Sequence, residues 1–499
     1  MLARAVVSAG LSRPFVRRAS NRVDISRRVY ASMAPGGDDT RVAIVGGGVA
    51  GLACAQSLVA HGFGKRVDIY DQGSRGPGGR TSSSRPAEIN GETMVFDHGA
   101  QFFTATNAKF KVRARSTQHR NPKTSGVADP DPRCPLCCRA PTQHPTSSPD
   151  LQAVCEELKA KGYVARWDGV FGTLNAFDGV FIPKRRVSVG GPPRQDFFKL
   201  LTADEVFVGV PTNQAVCEGL RALAGDDVTA HWHTTVTSLD RDDSGPSPWS
   251  LSGVDKRALD EGQAGSKEKK LGGRNAAVVV CDVMTARKGT PGTCEVNGLP
   301  EKCDAKQVWP SFATNPARVG LFSCMLAFDQ SAPKPDFDAA VVTGSDVIGL
   351  LVRDSSKPGR LTRKDGLERW VAITTTEFAE KTIAKAPLTV DGQYNPQTAE
   401  YFSAIEPTIV AEARRVLGVA CGDDDGNFPA PAHMKCQRWG NAYPSGAIGE
   451  GTLGGACFFD MAAGFGMAGD FIQGPGVEAA WMSGEAAGRA AAQKLKSKL

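Results

Sequence analysis

The feature that most constrains this chain is a glycine-rich turn set between two short, mostly apolar runs. The runs occupy residues 42–45 and 67–70, and the sequence GGGVAG at 46–51 leads from the first run into small residues that continue to residue 61. A strand, a tight turn, a helix and a second strand within about 30 residues are typical of a βαβ unit. Glycines at 62 and 64 end the predicted helix. The pattern predicts a Rossmann-type opening.

The acid that follows this unit indicates nucleotide binding. The same glycine spacing recurs at residues 449–454 and 464–469, so the glycines alone are not specific. Only the copy at 46–51 follows an apolar strand, opens a helix and has an acid, Asp71, 20 residues later at the end of the next strand. Asp71 is predicted to accept hydrogen bonds from a ribose hydroxyl, while the amides at the helix N-terminus hold a diphosphate.

Length and charge exclude several classes of protein. A chain of 499 residues is too long for one small core and predicts two or three packed units. The net charge of +6 is carried by the first 31 residues, which contain seven Arg and one Asp, so the remainder is neutral. A neutral body does not favour nucleic acid as a partner. Apolar runs are interrupted well before 18 residues, which predicts no transmembrane segment.

The first 32 residues are rich in Arg, Ala, Ser and Val and nearly free of acids, a composition typical of an organelle transit peptide. The sequence VYAS at 29–32 resembles a stromal cleavage site and favours the chloroplast over the mitochondrion. A basic tail without a targeting role is the alternative.

The 13 cysteines are odd in number and irregularly spaced, which favours reduced thiols over a disulfide framework. Residues 115–150 lose periodicity and fill with Pro, Ser, Thr and Asp, as a surface insertion does. This segment holds a CxxCC sequence at 134–138, but one such cluster falls short of a zinc knuckle. We therefore predict no metal site.

Three further segments resemble flavin amine oxidases. GPGGRT at 76–81 and FDHGAQFF at 96–103 resemble the GGR and DHGAQYF segments of that superfamily, and GD at 469–470 with GPGVEAAW at 474–481 resembles its C-terminal FAD signature. VGVP at 208–211, DSSKPGR at 354–360 and ERWV at 368–371 resemble the renalase-like branch. The resemblance covers residues 41 to 490, except 115–150 and 241–274. The sequence differs from the pattern of the renalase-like branch at Gly349, where that branch has a bulky residue in a strand.

This resemblance implies noncovalent FAD as the cofactor. It places Arg80 beside the diphosphate, Asp470 at the ribityl chain and the helix that begins at Val477 with its N-terminus at the flavin pyrimidine, where its amides stabilise the charge of a reduced flavin. Together with the βαβ unit, it gives the following cofactor-binding residues: Gly46, Gly48, Val49, Ala50, Gly51, Asp71, Gly79, Arg80, Thr81, Gly99, Ala100, Gln101, Gly469, Asp470, Gly476, Val477 and Glu478.

The implied fold class is α/β: a Rossmann-type FAD-binding domain (GR2-like) and a substrate domain with a mixed antiparallel sheet plus helices. The FAD-binding domain is predicted at 40–105, 205–304 and 440–499, and the substrate domain at 150–204 and 305–439, with a transit peptide and linker at 1–39 and a flexible insertion at 106–149. Within these domains we expect a central strand at 276–281, a turn and a helix at 206–224, one helix at 400–417 and a closing helix at 477–496.

The implied activity is that of an oxidoreductase. A small substrate, either an amine or a dihydronicotinamide derived from NAD(P)H, gives a hydride to flavin N5, and O₂ is the expected acceptor. An isoprenoid desaturase or isomerase and a non-catalytic flavin-binding protein are the alternatives. No catalytic residue is assigned. The candidates are His433, Trp439, Tyr443 and Trp370, with Phe103 and His98 nearby, although residues of this kind are ordinarily part of the buried core.

Overall fold

The computed structural model describes residues 40–89, 92–105, 154–184, 199–257, 267–282, 294–306, 308–309, 318–360, 367–387, 389–390, 393–423, 426–445 and 455–497. The predicted transit peptide, the 106–149 insertion with its CxxCC sequence, and the glycine pattern at 449–454 lie outside the described residues.

A six-stranded sheet forms the centre of the nucleotide-binding region. Its strands, in spatial order, are β10 (Val228–His231), β2 (Val67–Tyr70), β1 (Val42–Val45), β14 (Ala277–Val280), β24 (Phe465–Met467) and β23 (Phe458–Asp460). The first five are parallel, and β23 is antiparallel to β24. Strands β1, β2 and β14 are fully buried, because both faces of the sheet are covered.

One face of this sheet packs against three helices, α1 (Val49–Ala60), α3 (Gln214–Ala224) and α8 (Val477–Lys496). The backbones of α1 and α8 approach each other closely. A Cβ added at Gly484 would lie 2.0 Å from the carbonyl oxygen of Ala50, and one added at Gly488 would lie 2.4 Å from that of Cys54. The two glycines therefore set the distance between the first and last helices of the described chain.

The other face packs against a four-stranded sheet, whose order is β13 (Lys269–Asn275), β12 (Trp249–Asp255), β11 (Thr234–Arg241) and β15 (Glu295–Asn297). Trp249 is fully buried between the two sheets, and its Nε1 donates a hydrogen bond to the carbonyl oxygen of Ala463 over 2.9 Å. Residues 241–274, which the family resemblance does not cover, contain β12 and all of β13 except its last residue.

A seven-stranded sheet forms the second large layer. Its order is β22 (His433–Pro444), β16 (Arg318–Phe328), β19 (Glu368–Thr374), β18 (Ile348–Arg353), β17 (Ala339–Thr343), β7 (Phe171–Asn175) and β8 (Phe181–Pro183). All its pairings are antiparallel except β17 with β7. One face packs against α4 (Thr376–Lys385), α5 (Ala399–Ser403) and α6 (Glu406–Ala420).

The remaining elements are short and connect these layers. They are α2 (Val154–Ala160), α7 (Asp470–Gln473), the pair β3 (Ala87–Ile89) and β4 (Glu92–Met94), the pair β20 (Thr389–Val390) and β21 (Gln393–Tyr394), and the three strands β5 (Phe103–Thr104), β9 (Val206–Gly209) and β6 (Val164–Arg166).

The predicted fold class is confirmed: a Rossmann-type parallel sheet is joined to a mixed sheet with helices. The domain boundaries remain a prediction, and β22 runs through the predicted one at residues 439 and 440. Two local predictions are wrong. Residues 400–417 form two helices, because Pro407 lacks an N–H and starts a new helix. Residues 206–209 form strand β9 rather than a turn, since they pair with β5 and β6. None of the described helices combines the length and apolar character needed to cross a membrane.

Candidate functional site

A cavity of about 890 Å³, called the main cavity below, lies between the Rossmann-type sheet and the seven-stranded sheet. Its walls include the N-terminal ends of α1 and α8, the loop after β2 and the second half of β22. All of the predicted cofactor-binding residues line it except Gly51. The structure thus brings together residues that are distant in sequence around one space.

The glycine turn has the geometry that its spacing predicts. Gly46 has a φ of +109°, which only glycine adopts without strain. A Cβ at Gly51 would lie 1.9 Å from the carbonyl oxygen of Gly46, so Gly51 allows α1 to pack on the turn instead of lining the cavity. A Cβ at Gly79 would lie 3.9 Å from the Cα of Gly48. Two glycine segments therefore form facing backbone surfaces.

Asp71 lies at the end of β2, beside the glycine turn. Its Oδ2 accepts a hydrogen bond from the amide of Gly47 at 2.6 Å, and its Oδ1 accepts one from the amide of Gly73 at 2.7 Å. Burial raises the pKa of Asp71, and these two hydrogen bonds oppose the rise. A carboxylate has about four lone-pair directions, so each oxygen can still accept a hydrogen bond from a ligand hydroxyl.

Arg80 and Asp470, which both line the main cavity, form a bidentate ion pair in its wall. Arg80 Nη1 and Nη2 donate to Asp470 Oδ2 and Oδ1 at 2.6 and 2.7 Å. Burial opposes the charge of Arg80, while the Asp470 carboxylate and its hydrogen bonds hold the pKa of the guanidinium above its usual value. The sequence predicts separate ligand contacts for these residues, and the structure joins them to each other.

The loop at residues 97–101 is fixed by backbone contacts. The amide of Ala100 donates to the carbonyl oxygen of Arg80 at 2.8 Å, and Trp439 Nε1 donates to that of His98 at 2.8 Å. His98 lines the cavity and packs edge-on against Trp439. Burial, with a contribution from the positive charge of Arg75, lowers the pKa of His98 to about 4. His98 is therefore neutral at neutral pH.

The N-terminus of α8 forms a second helix end at the main cavity. Gly476 precedes the helix with a φ of +128°, and Val477 and Glu478 line the cavity. Ser483, six residues after Val477, accepts a hydrogen bond from the amide of Gly469 at 2.9 Å. Two helix N-termini, those of α1 and α8, thus direct partial positive charge towards the same space.

The seven-stranded sheet supplies the opposite wall through Leu321, Phe322, Ile373 and residues 437–443. Of the four catalytic candidates, Trp439 and Tyr443 line the cavity. Burial, with the nearby charges of Glu377 and Glu380, raises the pKa of Tyr443 to about 12.

The other two catalytic candidates do not line the main cavity. Trp370 is buried in the core, edge-on to Phe337. His433 stacks on Phe96 with ring centroids 6.0 Å apart, and burial together with Lys435 lowers its pKa.

Sequence reasoning misses a buried ionic cluster that contacts the loop at residues 97–101 on the side away from the main cavity. Lys357 Nζ donates to Gln101 Oε1 at 3.3 Å and to Asp354 Oδ1 at 3.0 Å, and Arg360 pairs with both Asp97 and Asp354. The two segments involved, FDHGAQFF and DSSKPGR, both stand out in the sequence, but nothing in their spacing predicts that they meet. The buried ionic cluster of Asp97, Asp354, Lys357 and Arg360 connects them.

The model of an NAD(P)-binding Rossmann-like domain matches residues 44–114. A protein from Exiguobacterium sp. 255-15, described as a candidate protoporphyrinogen oxidase, is 11% identical; the match covers 92% of this chain and 100% of that chain at a TM-score of 0.53. This likeness shows a shared fold. Two solved structures are more distant. Putrescine oxidase with bound putrescine is 12% identical, with 92% of this chain and 98% of that chain covered at a TM-score of 0.47, and a flavoprotein/dehydrogenase from Cytophaga hutchinsonii is 11% identical, with 92% and 79% covered at a TM-score of 0.41.

Proposed function

We propose that this chain is an FAD-dependent oxidoreductase that binds FAD noncovalently in the main cavity and takes a hydride from a small substrate. One observation carries the proposal: the N-termini of α1 and α8 line the same cavity, together with Asp71. Helix N-termini bind anionic groups through free amides and the helix dipole. A ligand with a central diphosphate, a ribose on one side of it and on the other side a ring that gains negative charge matches this arrangement.

The residues of the cavity fit such a cofactor. Gly48 and Gly79 present backbone without side chains where a diphosphate would approach, and Asp71 offers free acceptor directions to a ribose. Noncovalent binding is supported by the position of Cys281, a thiol in the lining that lies beside the turn of Gly46 rather than on the β22 wall. His98 also lines the cavity, and its Nε2 lies within hydrogen-bonding distance of Ser82 Oγ, at 3.4 Å.

Bound FAD would supply a hydride acceptor at its flavin ring. The amides at the start of α8 would stabilise the negative charge that a reduced flavin carries. Trp439 and Tyr443 would wall the substrate side and keep water out. Because the pKa of Tyr443 is raised to about 12, its hydroxyl stays protonated at neutral pH and can donate a hydrogen bond.

The charges of the two walls favour a dihydronicotinamide over an amine as substrate. On the wall opposite the Rossmann-type sheet, the described lining residues include Gln397, Gln437 and Trp439 but no carboxylate, and the guanidinium of Arg438 lies over the Tyr401 ring, 4.5 Å from its centroid. The lining carboxylates, Asp71, Asp282, Asp470 and Glu478, all come from the opposite side. A protonated amine requires an anionic partner when desolvated, whereas a neutral dihydronicotinamide ring does not. We propose O₂ as the electron acceptor.

An absorbance spectrum of the purified full chain tests the cofactor. We expect a flavin spectrum, and acid precipitation should leave the yellow colour in the supernatant. Colour in the pellet would contradict noncovalent binding, and a colourless protein that takes up no added FAD would overturn the proposed function.

Anaerobic mixing tests the substrate. We expect preparations of NADH and NADPH that contain their dihydro isomers to bleach the flavin, and aliphatic amines to leave it oxidised. Readmitted air should restore the colour and produce hydrogen peroxide. Bleaching by amines alone would reverse the substrate assignment, and bleaching by neither would favour an isoprenoid substrate or a non-catalytic role.

We also propose that the chain acts in the chloroplast, on the basis of the transit-like composition of residues 1–32. A fluorescent protein fused after residue 40 should follow this segment into plastids. Delivery to mitochondria would support the alternative compartment.

A further inference from the structure

Two cysteines and a glutamate meet away from the lining of the main cavity. Cys324 in β16 and Cys436 in β22 are direct partners in the antiparallel register, and Glu406 is the first residue of α6. The Sγ atoms of the two cysteines and one carboxylate oxygen of Glu406 all lie within 4.8 Å of one another. Cys324 is 0% exposed and Cys436 is 4% exposed.

The backbone holds these three side chains in place. Because β22 is an outer strand of its sheet, the amide of Cys436 can point away from β16, and it donates to Glu406 Oε1 at 2.9 Å. An outward-pointing amide means that Cys324 and Cys436 form a non-hydrogen-bonded pair, the kind in which opposite side chains approach most closely. The N-terminus of α6 is thereby fixed against both strands.

We propose that Cys324, Cys436 and Glu406 bind one borderline-soft divalent cation of the Zn²⁺ type. Two sulfurs and one carboxylate oxygen are ligands that Zn²⁺ takes in proteins, with tetrahedral geometry. Glu406 is only partly buried, so its side leaves a route to solvent and a position for water as the fourth ligand. Hard cations such as Mg²⁺ prefer sites made of oxygen ligands and do not match this set.

Binding is balanced in protons and charge. Each thiol releases one proton as it becomes a thiolate ligand, so two protons leave for each cation bound. Two thiolates, one carboxylate and one dication leave a net charge of −1. Arg438 lies two residues after Cys436 in the same strand, hence on the same face, and its guanidinium is nearly buried. This cation can compensate the remaining negative charge.

The ion would connect the start of α6 to the strand that continues, through residues 437–443, into the wall of the main cavity. The site is independent of the proposed FAD chemistry. Sequence reasoning misses it because its three residues are far apart in sequence and only the pairing of β16 with β22 brings them together.

Titration of the reduced, chelator-treated full chain with Cd²⁺ tests the proposal. Cys134, Cys137 and Cys138 are first changed to Ser, because their thiols could bind metal on their own. We expect ultraviolet thiolate-to-cadmium absorption that saturates at one ion per chain, two released protons per ion, and no competition from excess Mg²⁺.

Matched variants locate the site. C436S should abolish the absorption, and E406Q, which can still accept the Cys436 amide hydrogen bond, should weaken binding at least tenfold. C303S, which changes a buried thiol in another core cluster, should bind as the parent does. Equal titrations for the parent, C436S and E406Q would overturn the proposal, as would absent absorption or a Cys324–Cys436 disulfide in protein isolated without reductant.

Discussion

Lys357 Nζ lies 3.0 Å from Asp97 Oδ2, and neither side chain has any exposure to solvent. Lys357 comes from the segment after β18 in the seven-stranded sheet, whereas Asp97 belongs to the loop whose next residues line the main cavity. With Arg360 and Asp354, the cluster contains two cations and two carboxylates. The two cations hold the pKa of Asp354 below its usual range despite its burial. The shape of the cavity therefore depends on a charge pair outside it.

Replacement of Lys357 by Met should lower the free energy of unfolding by about 3–5 kcal/mol, because it leaves buried carboxylates with one cation instead of two. Urea unfolding of the purified protein measures the change. Lys306→Met, which removes an exposed pair with Glu301, is the control and should leave unfolding unchanged. A Lys357→Met protein as stable as the parent would show that the cluster contributes no net stability.

The Arg80–Asp470 pair should show strong energetic coupling. A double-mutant cycle with Arg80→Ala, Asp470→Ala and the double variant isolates the interaction from other effects of each change. Since the pair is bidentate and mostly buried, we expect a coupling free energy of about 1.5–3 kcal/mol in urea unfolding. Additive single effects would mean that the two side chains act independently.

Gly51→Ala should disrupt the glycine turn. The new Cβ would lie 1.9 Å from the carbonyl oxygen of Gly46, so helix or turn must move, at a cost of about 1–3 kcal/mol or more. We expect reduced stability and loss of bound flavin, measured by unfolding and by absorbance. Gly273→Ala, where nothing lies within 4 Å of the new atom, is the control. Normal flavin content in Gly51→Ala would contradict the role of this contact.

Asp71→Asn should weaken FAD binding about tenfold or more, because the charged acceptor of the ribose is lost. Protonation has the same effect. Since burial raises the pKa of Asp71, affinity in the parent should fall as the pH is lowered, beginning above the ordinary Asp value of about 3.9. Equilibrium titration with FAD between pH 4 and 8 checks both points. The Asn variant should lack this part of the pH dependence, and parallel curves would rule out Asp71 as its source.

His98 should make the fold less stable in mild acid. Its pKa is about 4 in the folded protein and about 6.5 in an unfolded chain, so the unfolded state binds the extra proton between these values. His98 therefore does not change the free energy of unfolding above pH 6.5. As the pH drops towards 4, this residue lowers that free energy by on the order of 3 kcal/mol. Urea unfolding at pH 7 and pH 4.5 should show a smaller loss in His98→Gln than in the parent.

Local patterns were sufficient to predict the Rossmann-type unit. β1, β2 and α8 occupy the predicted residues, because a continuous apolar run, a glycine turn and a run of small residues are each local signals. The break before α6 also has a local signal, Pro407, which the apolar periodicity obscured. Strand β17 was missed, since four small or β-branched apolar residues of a central strand can equally form a buried helix.

The site was predictable only in part. Glycines and Asp71 are recognisable because their roles depend on backbone conformation close to them in sequence. The contacts of Asp97 with Lys357 and of Arg80 with Asp470 join residues separated by most of the chain, and their formation depends on how the sheets pack. Trp439 lines the main cavity, whereas Trp370 is buried in the core. The sequence does not distinguish them, because both are aromatic residues in strands.

The close approach of α1 and α8 through Gly484 and Gly488 has a consequence for biosynthesis. Helix α1 is synthesised early in translation. Helix α8, whose two glycines pack against it, leaves the ribosome only after nearly all other described elements. Until then the apolar face of α1 is open to solvent, chaperones and proteases. The pairing of these two helices therefore waits for α8, and under the proposed function FAD would be held by both helix N-termini only once α8 is in place.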